Sequence, residues 1–241
     1  MNRGLGVCLL VLAAWPAQDP AAGPVPTYRA TYDVFYERRR VGRSEFSVTH
    51  NRAADTYRFE SVSRLRGLFR LISPRPLVEL SEFSYRAGRI QPLRYAYEDG
   101  TRRGDDSYRV DFDWETGVAT TSAQARTIRS ALVEGMLDRG SMQIAVMLDL
   151  QASAPNAYTL VDADGVGVYE YAMDGEQSLD TPLGAIAAQR YIQQRRNSTR
   201  RTVIWVAETL NYLPIRIEQQ RDGVTRAVFE LQSVEWLEDA E

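Results

Sequence analysis

Few side chains in this sequence are equipped for covalent or metal chemistry. His50 is the one histidine and Cys8 the one cysteine among 241 residues. All 29 basic residues are Arg, and no Lys occurs. Schiff-base formation, attachment of pyridoxal phosphate and a phosphate-loop Lys are therefore excluded. A single His excludes a multi-His metal centre. Ser–His catalysis would have to run through His50, and no Gly-x-Ser-x-Gly elbow accompanies it. The sequence calls for no cofactor.

Carboxylates are the chemistry that remains. Asp105, Asp106, Asp111, Asp113 and Glu115 form an acidic cluster. Paired carboxylates about 5–9 Å apart can hydrolyse glycosides, and clustered ones can hold Ca²⁺. Here Asp111 and Asp113 alternate with Val110, Phe112 and Trp114, which places them on the wet face of a strand. Asp162-Ala163-Asp164-Gly165 opens like a calcium loop but lacks the third oxygen ligand before its Gly. Met173 stands where such a loop needs a bidentate Glu, so the segment reads as a hairpin turn.

Arginines recur in runs at Arg38-Arg39-Arg40, Arg102-Arg103, Arg195-Arg196 and Arg200-Arg201. Their guanidinium groups suit phosphate or carboxylate, so anionic headgroups are conceivable partners, with charged hairpin tips as the plainer reading. A net charge of −3 argues against nucleic acid.

The elements that must position these residues follow a period of two. Tyr28, Ala30, Tyr32 and Val34 alternate with Arg29, Thr31 and Asp33; Tyr57 and Phe59 alternate with Arg58 and Glu60. Leu93, Tyr95 and Tyr97 alternate with Arg94, Ala96 and Glu98, and Tyr108, Val110 and Phe112 with Arg109 and Asp111. Such runs make strands with one buried and one wet face, and sheets of this kind are antiparallel. Gly42, Ala87-Gly88, Asp99-Gly100, Thr116-Gly117 and Asp222-Gly223 fall between runs and supply hairpin turns. The expectation is a mainly β protein of about 12–14 strands in one large curved antiparallel sheet, an open or incomplete barrel.

Two segments depart from this pattern. Arg139 to Leu150 is apolar nearly all round a helix, with Asp138 as its cap. A helix of that kind is buried, and the concave side of the sheet is the place to bury it. Arg64 to Pro76 mixes Leu65, Leu68, Phe69, Leu71 and Ile72 with Arg, which fits a short amphipathic turn at the mouth of the sheet or a strand end and crossover loop. Val203, Trp205 and Ala207 share one face of a strand whose other face carries Ile204 and Val206.

Arg3 and the apolar run Leu5–Trp15 have the layout of a secretory signal. The run is short of the roughly 20 residues needed to span a bilayer. The expected division is a signal over residues 1–22, cut after Ala17 or Ala22, and a single mainly β domain over 23–241 with no membrane span. Cys8 would leave with the signal, removing disulfides and thiol chemistry from the mature chain.

The order of features resembles the bacterial exported family called domain of unknown function 3108. The likeness rests on Tyr28-x-Ala30-x-Tyr32-x-Val34 with Gly42, then Leu137-Asp138-Arg139-Gly140-Ser141, then Asp180-Thr181-Pro182-Leu183-Gly184. Ile204-Trp205-Val206, Pro214-Ile215-Arg216 and the Gly223 hairpin complete it, over about residues 28–236. The resemblance implies an exported protein, in the periplasm of a Gram-negative bacterium, and no particular reaction. By analogy of fold it is similar to the open barrels of periplasmic lipoprotein carriers.

Three functions are consistent with these features. The first is non-enzymatic binding of an apolar or lipid-like ligand between helix and sheet, lined by Met142, Val146, Met147, Tyr95, Trp205 and Phe229. Methionine adapts its shape and suits such ligands. The second is a structural or assembly factor of the envelope acting through a protein partner, for instance by strand addition at a sheet edge. The third is a carboxylate-based hydrolase.

Overall fold

Residues 24–124, 126–152 and 157–237 are described by the computed structural model. The export signal expected over residues 1–22 lies outside the described residues. Eight strands come first: β1 (Tyr28–Tyr36), β2 (Arg39–Asn51), β3 (Thr56–Leu65), β4 (Leu77–Arg86), β5 (Arg89–Glu98), β6 (Tyr108–Asp113), β7 (Val118–Ala123) and β8 (Arg126–Ala131). One helix, α1 (Arg139–Ala152), separates them from six more: β9 (Ala157–Asp162), β10 (Gly165–Thr181), β11 (Gly184–Arg195), β12 (Arg200–Ala207), β13 (Leu213–Arg221) and β14 (Val224–Trp236). All belong to one 14-stranded sheet. Each meander pairs neighbour with neighbour, and the antiparallel β1–β14 ladder joins the two, running from Tyr28↔Trp236 to Tyr36↔Ala227.

The outermost strands, β8 and β9, approach each other and nearly close the sheet into a barrel. Side chains and one short bridge make the seam. Leu137 donates its amide to Thr159 O and accepts from the Val161 amide, both at 2.9 Å, as a one-residue parallel strand on the edge of β9. The Thr121 hydroxyl donates to the Asp162 carbonyl at 3.4 Å, and the Arg126 guanidinium reaches the Ala163 carbonyl. An edge that would otherwise offer unpaired amides is thereby occupied.

Alternation decides the two faces. Tyr28, Ala30, Tyr32, Val48, Phe59 and Phe83 point inward and are buried. The outer face carries cross-strand charges of alternating sign. Arg58, Glu82, Arg94 and Asp111 are successive register partners across β3 to β6. Their N–O distances are 3.2, 3.8 and 3.6 Å. Exposed pairs of this sort add little stability, but they keep the outer face wet and the register fixed. Asp113 uses one carboxylate oxygen on the amides of Glu115 and Thr116, as a turn residue does. Asp162 likewise accepts the Asp164 amide at the β9–β10 turn.

One strand departs from simple alternation. Leu93 was expected to point inward with Tyr95, yet it is 37% exposed. The register steps from Glu82↔Arg94 to Phe83↔Pro92, so Leu93 is the extra residue of a bulge. The bulge moves the inward set to Ile90, Pro92 and Tyr95.

Candidate functional site

The helix start is built by Leu137-Asp138-Arg139-Gly140-Ser141. Asp138 Oδ1 accepts the Ser141 amide at 2.8 Å, and the Asp138 amide donates to Ser141 Oγ at 3.0 Å, a reciprocal cap. Asp138 Oδ2 accepts the Ser81 hydroxyl of β4 at 2.8 Å, tying the helix start to the barrel wall. Gly140 is required by close approach: a Cβ there would lie 2.7 Å from Ser81 Cβ and 2.8 Å from Phe59 Cδ1. Burial pushes the Asp138 carboxyl up to about 7, against the lowering effect of its Ser141 and Ser81 hydrogen bonds.

Beside this cap lies a polar cluster. The Tyr95 hydroxyl donates to Glu79 Oε1 at 2.8 Å, and Arg139 Nε lies 3.8 Å from the same oxygen. The buried Tyr108 hydroxyl sits near Tyr95 without a hydrogen bond of good geometry. Across the seam, Tyr169 donates to Asp162 Oδ2 at 2.8 Å, and Arg195 reaches that oxygen at 3.2 Å. Burial raises the Tyr95 hydroxyl, and the neighbouring Glu79 raises it further. Burial and Asp162 push Tyr169 up to about 12.

As chemistry, the cluster is structural. Asp138 titrates near neutrality, but it is wholly buried and both oxygens are committed to the cap and the wall. A general acid must reach its substrate. His50 stacks its ring on Tyr57 at 4.2 Å between centroids, and its ring nitrogens make no hydrogen bond among the described residues, with Asp55 Oδ1 3.9 Å from Nε2. No group of three or more His, Cys, Asp or Glu among the described residues is placed to hold a metal.

The anticipated ligand lining divides between the two faces. Met142, Val146 and Met147 are buried on α1, and Met142 Sδ receives the Gln193 amide at 3.7 Å. Tyr95 faces α1 but is wholly buried, its hydroxyl already used on Glu79. Phe229 faces inward and is only half-buried, 6.1 Å from Phe46 by ring centroids. Trp205 lies on the opposite face. Phe229 pairs with Ile217 and Ile217 with Ile204, whereas Trp205 pairs with Arg216 and Arg190. Those two guanidinium groups cover the indole from outside, 5.4 and 5.6 Å from its centroid. The alternation of 203–207 showed two apolar faces without showing which one was inner.

α1 leans on β3, β4, β5 and β9. Ala145 and Leu148 of α1 and Ile204 and Phe229 of the sheet are half-buried apolar side chains packed against the main core. Sequence reasoning missed Ala145, Leu148 and Ile204, although the i, i+3 spacing of the first two was a readable signal. Two clefts lie elsewhere. One of about 360 Å³ sits between Leu71–Ile72 and the β5–β6 loop, and one of about 240 Å³ is on the outer face beside Arg216. Neither is lined by a residue of α1.

Together these features define a nearly closed antiparallel barrel with a single helix packed against its inner wall. The chain belongs to the family described as "Protein of unknown function (DUF3108)", whose profile matches residues 28–229. No curated protein matches it. Among solved structures it is similar to a β-barrel-like protein of domain of unknown function DUF1849 from Brucella abortus. Identity is 12%, coverage is 89% of this chain and 99% of that one, and the TM-score is 0.49. It is also similar to MucB, at 9% identity and a TM-score of 0.39, covering 91% of this chain and 56% of that one.

Proposed function

We propose that this chain is a non-enzymatic, exported envelope protein that holds an apolar, lipid-like molecule between α1 and the inner face of β12–β14. One observation carries the reading: Ile204 and Phe229 face inward yet stay half-buried, and Ala145 and Leu148 of α1 are half-buried as well. Apolar groups that point into a core and are left partly wet gain when an alkyl chain covers them, by about 25 cal/mol per Å². Met142 and Met147 on the same helix would adjust to different chains. Trp205, being outside, has no part in this site.

Native mass spectrometry of protein purified from the periplasm, with titration of a fluorescent fatty acid, tests the proposal. The expected result is an adduct mass or saturable uptake, and loss of uptake in Phe229→Asp with the circular dichroism retained. A bare polypeptide mass together with no uptake would sink it. A second reading is assembly through protein contacts, for instance by strand addition at a sheet edge. Crosslinking in cells separates the two, since a specific protein adduct on an empty barrel supports the second.

A further inference from the structure

The β3–β4 connection places large apolar side chains in water on a loop that is itself firmly held. Leu68 is 80% exposed, Leu71 75% and Ile72 70%. Gly67–Leu71 is a 3₁₀ turn, in which residues three apart eclipse, so Leu68 and Leu71 project on the same side. Phe69 turns back instead and packs edge-on against Tyr36 at 5.9 Å. The loop is fastened at both ends. The Arg66 amide donates to Val41 O at 2.7 Å, and the Arg75 amide donates to Gly100 O at 3.1 Å. A Cβ on Gly100 would come within 2.4 Å of Ser73 Oγ, so the β5–β6 loop presses directly on this one. Three adjacent apolar side chains held out in water are costly unless something covers them.

Charge indicates what does. The antiparallel topology brings the β1–β2, β3–β4, β5–β6, β11–β12 and β13–β14 connections to one end of the barrel. Every arginine run of the sequence therefore lies at that end. Arg64, Arg66 and Arg70 flank the exposed leucines, and among the described residues no carboxylate pairs with them. Arg102 and Arg103 line the cleft that Leu71 and Ile72 share with the β5–β6 loop. Apolar tips ringed by guanidinium groups match an anionic bilayer surface, where the tips enter the acyl boundary and the cations meet phosphates. Three aspartates, Asp99, Asp105 and Asp106, also line that cleft and offset Arg102 and Arg103, since the partners of Asp99 and Asp105 are neutral groups, so the cationic ring rests on Arg64, Arg66 and Arg70.

We propose that this end of the barrel docks on an anionic membrane surface, with Leu68, Leu71 and Ile72 inserted and Arg64, Arg66 and Arg70 on lipid phosphates. This inference does not depend on the proposed ligand site. The full chain carrying Cys8→Ser and Leu68→Cys, labelled with the environment-sensitive dye NBD, reports insertion at the loop itself. A second chain labelled at Leu183→Cys, on the β10–β11 tip at the opposite end, is the control. Phosphatidylglycerol vesicles should brighten and blue-shift the dye at 68, while phosphatidylcholine vesicles should not. The dye at 183 should stay unchanged. Replacing Arg64, Arg66 and Arg70 by Gln should weaken the response roughly 100-fold in lipid concentration. The proposal is overturned by no change at 68, by an equal change at 183, or by a response at 68 to polyglutamate but not to vesicles.

Discussion

Asp138 shows how one residue can bind local geometry to solution behaviour. Its carboxyl is wholly buried and is held at about 7 in the folded protein. In the unfolded chain it titrates near the ordinary 3.9 or so. Between these values the folded state keeps a proton that the unfolded state has released, so stability must fall as pH rises. The stabilisation is complete below about pH 4 and is lost by about pH 7, with a limit of roughly 4 kcal/mol. Urea denaturation at several pH values is the check. The wild-type midpoint should decline across this window, and Asp138→Asn, which retains a capping oxygen, should flatten the decline. An unchanged slope in the variant would assign the titration elsewhere. Part of this was readable beforehand, since an Asp before an apolar run signals a helix start. Its bond to Ser81, 57 positions away, was not, because no local pattern encodes which wall a helix meets.

α1 was legible as an element because its apolar residues go nearly all the way round, which only burial explains. The helix expected over 139–150 forms as Arg139–Ala152, and the expected 12–14 strands form as 14. Two details were hidden by events in neighbouring strands. Leu93 left the inner face because of a bulge, and Trp205 fell on the outer one because inner and outer are set by pairing across β11, β12 and β13. Periodicity reports that two faces exist, and only the sheet's closure says which is which. Disturbing the helix should also be costly. Met147 is 1% exposed, and Met147→Ala removes buried side-chain volume beside the sheet. A loss of about 2–5 kcal/mol is expected by chemical denaturation. A change under about 1 kcal/mol would mean that the wall collapses onto the gap and that α1 is a loose filling.

Across the whole molecule, the apolar interior falls into two clusters. The larger contains Tyr28, Tyr32, Tyr171 and α1; the smaller contains Tyr95, Tyr108, Val110 and Met136. Burial raises all five of these tyrosine hydroxyls above their usual value near 10. For a group raised on folding, the stabilisation is present below the unfolded value and is lost as pH climbs past it. Ionisation of any one of them thus requires that its cluster open. The clusters are physically continuous: Tyr95 of the smaller is the register partner of Ser81, which bonds the cap of α1 in the larger, and Leu137 stitches that same segment to β9. Neither can open while the other stays shut. Phenolate absorbance followed from pH 9 upward tests this. These five rings should ionise in a single step that coincides with loss of near-ultraviolet circular dichroism. Two separate buried steps would show that β5–β8 melts as its own unit, with the seam at Leu137 giving way first. Gradual ionisation with the dichroism retained would show that water already reaches the inner face.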